Sequence, residues 1–200
     1  MTSSKISKII DHTLDVESKE IERLRETVDR KTVEEIINRI SKCKGKIILT
    51  GCGTSAMAAK KIVHSLSVID IEAIYLNPSD AVHGSLGTVR KDDIVIFISK
   101  GGNTEELTSF IDNVRAKKAF IITVSENERS LLATKSDLFL KVKIEREPDQ
   151  YDMLATASTL AVIALFDAIC IALMDVTGFN KQDFALNHPG GAVGERLNKQ

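Results

Sequence analysis

From residue 3 to residue 42 apolar side chains recur at helical spacing. Ile6, Ile9, Ile10 and Leu14 form one patch, Ile21, Leu24 and Val28 a second, and Val33, Ile36, Ile37 and Ile40 a third, with charged residues between them. The pattern predicts an N-terminal, antiparallel helical arm or hairpin over residues 1–45. From Lys46 onward the period changes: short runs rich in Ile and Val alternate with longer amphipathic segments, the signature of βαβ units on a parallel sheet. Strands are expected near 46–50, 71–75, 93–98, 119–124 and 137–142. Helices are expected near 54–67, 103–117, 129–134, 153–177 and 181–186. No linker, low-complexity run or internal repeat interrupts the series, so residues 46–200 read as one α/β domain, a three-layer, doubly wound, five-stranded parallel sheet.

A sheet of this kind places its ligand at the carboxyl ends of the strands, where the strand order reverses. Two loops fall there. Ser99-Lys100-Gly101-Gly102-Asn103-Thr104-Glu105-Glu106 follows the apolar run Ile94–Ile98 and opens a helical pattern, and Gly51-Cys52-Gly53-Thr54-Ser55 does the same after Lys46–Thr50. Small residues let the backbone approach an anion, N–H groups at the start of the next helix point toward it, and the hydroxyls of Ser99 and Thr104 add donors. Two such loops imply one phosphorylated ligand. Gly51-x-Gly53 lacks the third glycine of a dinucleotide fingerprint, and neither loop ends in the Gly-Lys-Ser/Thr of a nucleoside triphosphate site.

Composition narrows the partners. With 27 basic and 28 acidic residues the formal net charge is −1, which gives no basis for binding nucleic acid or an anionic membrane surface. The first 45 residues are also too few and too evenly charged for a DNA-reading helix-turn-helix. Cys43, Cys52 and Cys170 are odd in number and widely spaced, which fits a reduced cytoplasmic protein without a metal site. Nothing near Met1 reads as a secretory signal. Met153–Met174 is apolar enough to raise the question of a membrane span, but Asp167 near its middle would cost roughly 2.5–3.5 kcal/mol there. The segment is expected instead to be a helix buried in the core or at a subunit interface. Together with the apolar patches of residues 3–42, it predicts a homo-oligomer.

Between Gly45 and Leu197 the sequence resembles the sugar isomerase (SIS) domain, and among those proteins the arabinose-5-phosphate isomerase family. The resemblance is carried by Gly51-x-Gly53-x-Ser55, His83-Gly84-x-Leu86-Gly87, Ile98-Ser99 opening a loop that ends in Glu106, and Glu147 ahead of the long helix. Gly178-Phe179 and Asp183-Phe184-Ala185-Leu186-x-His188-Pro189-Gly190-Gly191-Ala192 complete it. It implies a flavodoxin-like strand order and a tetramer whose site is built at a subunit boundary. It also implies a phosphate held by Ser55, Ser99 and Thr104 with backbone N–H groups around Gly102 and Asn103, and a site lined by Glu106, Glu147, His188 and His83; Gly53, Thr54 and Lys100 in the same loops are further candidate binding residues. The expected ligand is a small sugar phosphate, with no cofactor. The shared strings run nearly to Gln200, so a family member without the paired CBS domains of many relatives is expected.

Interconverting an aldose and a ketose phosphate requires ring opening, removal of a proton beside a carbonyl, an enediol, and return of the proton to the adjacent carbon. Glu106 and Glu147 are candidate acid/base groups, expected to have a pKa raised toward neutrality by partial burial, and the histidines suit ring opening. Four departures from the family point to a different substrate. Thr54 stands where those isomerases carry a lysine, and Cys52-Gly53-Thr54-Ser55 resembles instead the isomerase domain of glutamine:fructose-6-phosphate aminotransferase. Lys100 and Gly101 replace small polar positions of the second loop, Ser85 replaces an aspartate, and Pro148–Leu154 follows a different pattern. Lys100 either restores the missing cation at the phosphate or is a solvent-facing lysine. The alternatives are a non-catalytic phosphosugar-sensing module and another phosphosugar enzyme such as an etherase.

Overall fold

The computed structural model describes residues 3–190. The chain opens with helices α1 (Ser3–Thr27) and α2 (Arg30–Ser41), the second capped by Asp29, whose carboxylate accepts from Lys31 N and Thr32 Oγ1. It continues through β1 (Ile47–Gly51), α3 (Gly53–Val68), β2 (Ala73–Tyr75), α4 (Pro78–Ala81), a 3₁₀ turn at Ser85–Thr88 and β3 (Ile94–Ile98). After these come α5 (Glu105–Thr108), α6 (Ile111–Ala116), β4 (Phe120–Ser125), α7 (Leu131–Thr134), β5 (Leu138–Lys141), α8 (Ala157–Thr177) and α9 (Lys181–Asn187).

The five strands pair in parallel in the order β2-β1-β3-β4-β5, the expected fold. Every residue of β1 and of β3 is buried, because side chains alternate between two covered faces. Ile47, Leu49, Ile94, Ile96 and Val124 join the core beneath α2, α3 and α8, whereas Ile48, Val95, Phe97 and Ile121 join the core beneath α5, α6 and α7. Register places Gly51 beside Ile98, so the loops that leave β1 and β3 start next to each other. The next connections diverge to opposite sides of β1, and the crevice between these loops is the switch point.

Several elements differ from expectation. The helix expected over 103–117 is broken at Phe110, which leaves helical geometry (φ −126°, ψ 1°) while its buried ring packs 5.4 Å from that of Phe97. The long apolar helix begins at Ala157 and not at residue 153, because the Asp149 carboxylate accepts from the N–H groups of Tyr151, Met153 and Leu154 and holds that stretch as a turn. Residues 78–88, for which no element is expected, form α4 and the 3₁₀ turn. The N-terminal helices do not lie along each other as a hairpin; both pack against α8. Leu24, Val28, Ile36 and Ile40 are buried in that contact, while Ile6, Ile9, Ile10 and Leu14 remain exposed. α8 has the length and composition of a membrane span. In this fold it lies against α1, α2 and α3, and Asp167 forms an ion pair with Lys61 of α3.

Candidate active site

The first loop delivers the chain into α3 with Gly53 at φ +56°. The Cys52 side chain, at the N-cap, makes no capping hydrogen bond. The first N–H groups of this 16-residue helix therefore face the crevice without a side-chain acceptor, in the arrangement that favours an anion. Thr54 is exposed and Ser55 half-buried.

The second loop is built on its own hydrogen bonds. Buried Ser99 accepts from Gly102 N at 3.1 Å, and its hydroxyl lies 2.8 Å from that of Thr104. The loop is pinned to the β4–α7 connection: Lys100 O accepts from Glu126 N and Ser125 Oγ, Gly102 O from Leu132 N, and Asn103 Oδ1 from Leu131 N. Asn103 therefore spends its side-chain acceptor on the scaffold. Gly102 is required by conformation and by space. Its φ is +69°, and a Cβ there would lie 2.1 Å from Ser130 Oγ.

Glu147 is fully buried although it stands in a charged run. One carboxylate oxygen accepts from Lys100 Nζ at 3.0 Å and from the Ser158 hydroxyl; the other accepts from Thr156 N at 3.1 Å and Ser158 N at 3.3 Å. Burial pushes the pKa of this carboxyl up, but the donors from Ser158, Lys100 and Thr156 outweigh it and hold the pKa below the ordinary value. A pKa raised toward neutrality is thus not found at Glu147. The group is an ionised carboxylate in this state.

The structure brings Thr54, Ser55, Ser99, Lys100, Gly102, Asn103, Thr104 and Glu147 to the carboxyl end of the sheet. A cavity of about 60 Å³ lies among them, lined by Thr54, Ser55, Lys100, Ser125, Ser158 and Thr159 with apolar neighbours. That volume is far below the several hundred Å³ of ordinary ligand clefts. Glu106 is exposed in the first turn of α5, on the side of the first loop, where burial and then the Glu106 charge push the Cys52 thiol pKa up. His83 is exposed just after α4, which packs beside α5. Ser158 and Thr156, which the sequence offers only as polar residues against a membrane span, are the main neutral donors to Glu147. Among the described residues, no group of three His, Cys, Asp or Glu side chains converges as metal ligands would.

His188 lies elsewhere. Its neighbour Asn187 donates to Val68 O and Asp70 Oδ1, at the end of α3 remote from the first loop, and its ring stacks on Phe184 at 4.2 Å. α3 is about 24 Å long at 1.5 Å per residue. His188 of one chain is therefore at the opposite end of the sheet from its own Glu147. Gly191 and Ala192, the end of the shared string, lie outside the described residues.

Comparison with known proteins is consistent with this geometry. The SIS domain family model matches residues 39–172. Arabinose 5-phosphate isomerase GutQ of Salmonella typhi is 34% identical over 185 residues, 92% of this chain and 57% of GutQ, so the chain spans about half the length of the curated relatives it matches. A Listeria monocytogenes crystal structure, described only provisionally as a sugar-phosphate isomerase, superposes with a TM-score of 0.93 at 45% identity, covering 95% of this chain and all of that one. An Escherichia coli CFT073 protein in complex with a sugar-phosphate ligand superposes at 0.90 with 28% identity, covering 94% of this chain and all of the other. By sequence and by fold, this chain belongs to the SIS-domain family.

Proposed function

We propose that this protein is an aldose–ketose isomerase of a phosphorylated sugar, working through an enediol. The observation that carries the reading is a buried Glu147 whose carboxylate accepts from Lys100, Thr156 and Ser158 beside the two glycine-containing loops, in a chain about one third identical to proteins named arabinose 5-phosphate isomerase. The phosphate ester sits on the N–H groups that open α3 and on the second loop, with Ser55, Ser99 and Thr104 as hydroxyl donors. Glu147, already deprotonated, takes the proton from the carbon beside the carbonyl and returns it to the adjacent carbon as the acid. Its three neutral donors fix the direction of the carboxylate. Glu106 and His83 face the same end of the sheet from α5 and from the turn after α4, where they suit the sugar hydroxyls and ring opening.

The small cavity and the displaced His188 support a homo-oligomer, a tetramer in the family reading, in which a second copy brings His188 to the site. Exposed Tyr151, Met153 and Leu154, on the turn that follows Glu147, provide an apolar lip for that copy. Deuterium wash-in tests the reaction. In heavy water, arabinose 5-phosphate is expected to gain deuterium at the carbon next to the carbonyl, and Glu147→Gln to slow that exchange by about 10²–10⁴-fold. A protein that binds pentose and hexose phosphates in a thermal-shift screen yet exchanges no proton on any of them is a sensing module.

A further inference from the structure

We propose that Lys100 is the positioning cation of this site, fixing Glu147 as a carboxylate behind the cavity wall that Lys100 and Ser158 form. Its kinetic consequence rests on the isomerase reading; its physical consequence rests on geometry alone. The ammonium lies 3.0 Å from Glu147 Oε1. Ion pairs between two exposed side chains are worth little. This pair is of another kind, because Lys100 is 42% exposed and Glu147 not at all, so the cation reaches inward to a carboxylate that water does not solvate.

The charged groups around Glu147 point to Lys100. From its own segment, Arg146 Nε donates to the main-chain oxygen of Glu147 at 3.4 Å, and Asp152 Oδ1 accepts from its main-chain N–H at 2.5 Å; both engage the backbone, not the carboxylate. From the start of α8 come the neutral donors of Thr156 and Ser158. Among the described residues, Lys100, from the second loop, is the cation on the carboxylate. It also lines the cavity together with Thr54 and Ser55, and its main chain is held by Glu126 and Ser125, so the phosphate loop and the base share one rigid support. A lysine that the sequence offers to the phosphate or to solvent has its charge on the base instead.

The test follows the Glu147 carboxyl by ¹³C NMR of glutamate-labelled protein without ligand, assigning it as the resonance missing from Glu147→Gln. Removing a cation favours the protonated form. In Lys100→Met the midpoint is expected to rise by about one unit or more, Lys100→Gln, run beside it in case the first variant folds poorly, should behave alike, and Lys100→Arg should return most of the shift. The acid limb of kcat/KM moves the same way, while inhibition by inorganic phosphate stays within about twofold. A midpoint unchanged in Lys100→Met and Lys100→Gln overturns the proposal, as does an unchanged midpoint with phosphate inhibition weakened about tenfold, which assigns Lys100 to the phosphate. Should the wild type turn over no sugar phosphate, the isomerase reading fails and the NMR titration still decides the role of Lys100.

Discussion

Gly102 shows how much of the candidate site depends on single positions. A side chain there would need φ +69° and would drive its Cβ into Ser130, which is itself buried and caps α7 through Ala133 N. Gly102→Ala is expected to destabilise the protein by about 1–3 kcal/mol and to weaken phosphate binding, because the second loop must leave the β4–α7 connection to accommodate it. Gly101, next in sequence, has open space around it. Gly101→Ala should stay within about 0.5 kcal/mol of wild type in urea unfolding, and a cost equal to that of Gly102→Ala would refute the argument. At this scale the sequence marked Ser99 and Thr104 as hydroxyl donors but not that their hydroxyls bond each other. It was not legible at Glu147, whose partners are 47 residues away in Lys100 and 11 away in Ser158, brought together by a turn that Asp149 organises. Burial of that carboxylate, and the direction of its pKa, follow from those partners and not from the charged run around it.

The inner strands β1, β3 and β4 were the most legible elements, because strands covered on both faces require short unbroken apolar runs. Helix–helix partnership was not legible. Amphipathic spacing states that α1 and α2 have an apolar face but not what covers it, and both turned to α8, whose apolar surface exceeds what either could offer the other. α8 also makes a chemical prediction. Burial, and then the charge of Asp167, push the Cys170 thiol up to about 11, with Lys61 opposing. At pH about 8 roughly one thiol in a thousand is then ionised, and the thiolate is the reactive form. Iodoacetamide is expected to leave Cys170 unmodified in the folded protein and to alkylate it once the protein is unfolded, as read by peptide mass spectrometry. Rapid modification of Cys170 in the folded state would mean that α8 does not stay packed.

At the scale of the whole molecule, the proposed site takes residues that lie at opposite ends of one copy. α8 carries the polypeptide from beside Glu147 to the far end of the sheet, about 30 Å at helical rise, and α9 stays there, tied to the end of α3 through Asn187. Histidine and glutamate from one copy therefore cannot meet, although the sequence resemblance places both at one site. Exposed Ile6, Ile9, Ile10 and Leu14 on α1, Ile171 and Val176 on α8 and Leu186 on α9 leave apolar surface for further copies to cover. Subunit mixing distinguishes a shared site from a self-contained one. Glu147→Gln and His188→Ala are each expected to be inactive alone. Unfolded together and refolded as a mixture, they should regain about a quarter of wild-type activity, because a site that takes its glutamate from one copy and its histidine from another receives both intact with a chance of one half each. If the site took both residues from one copy, every site would carry one lesion and the mixture would remain inactive, which would remove the shared site together with the role given to His188.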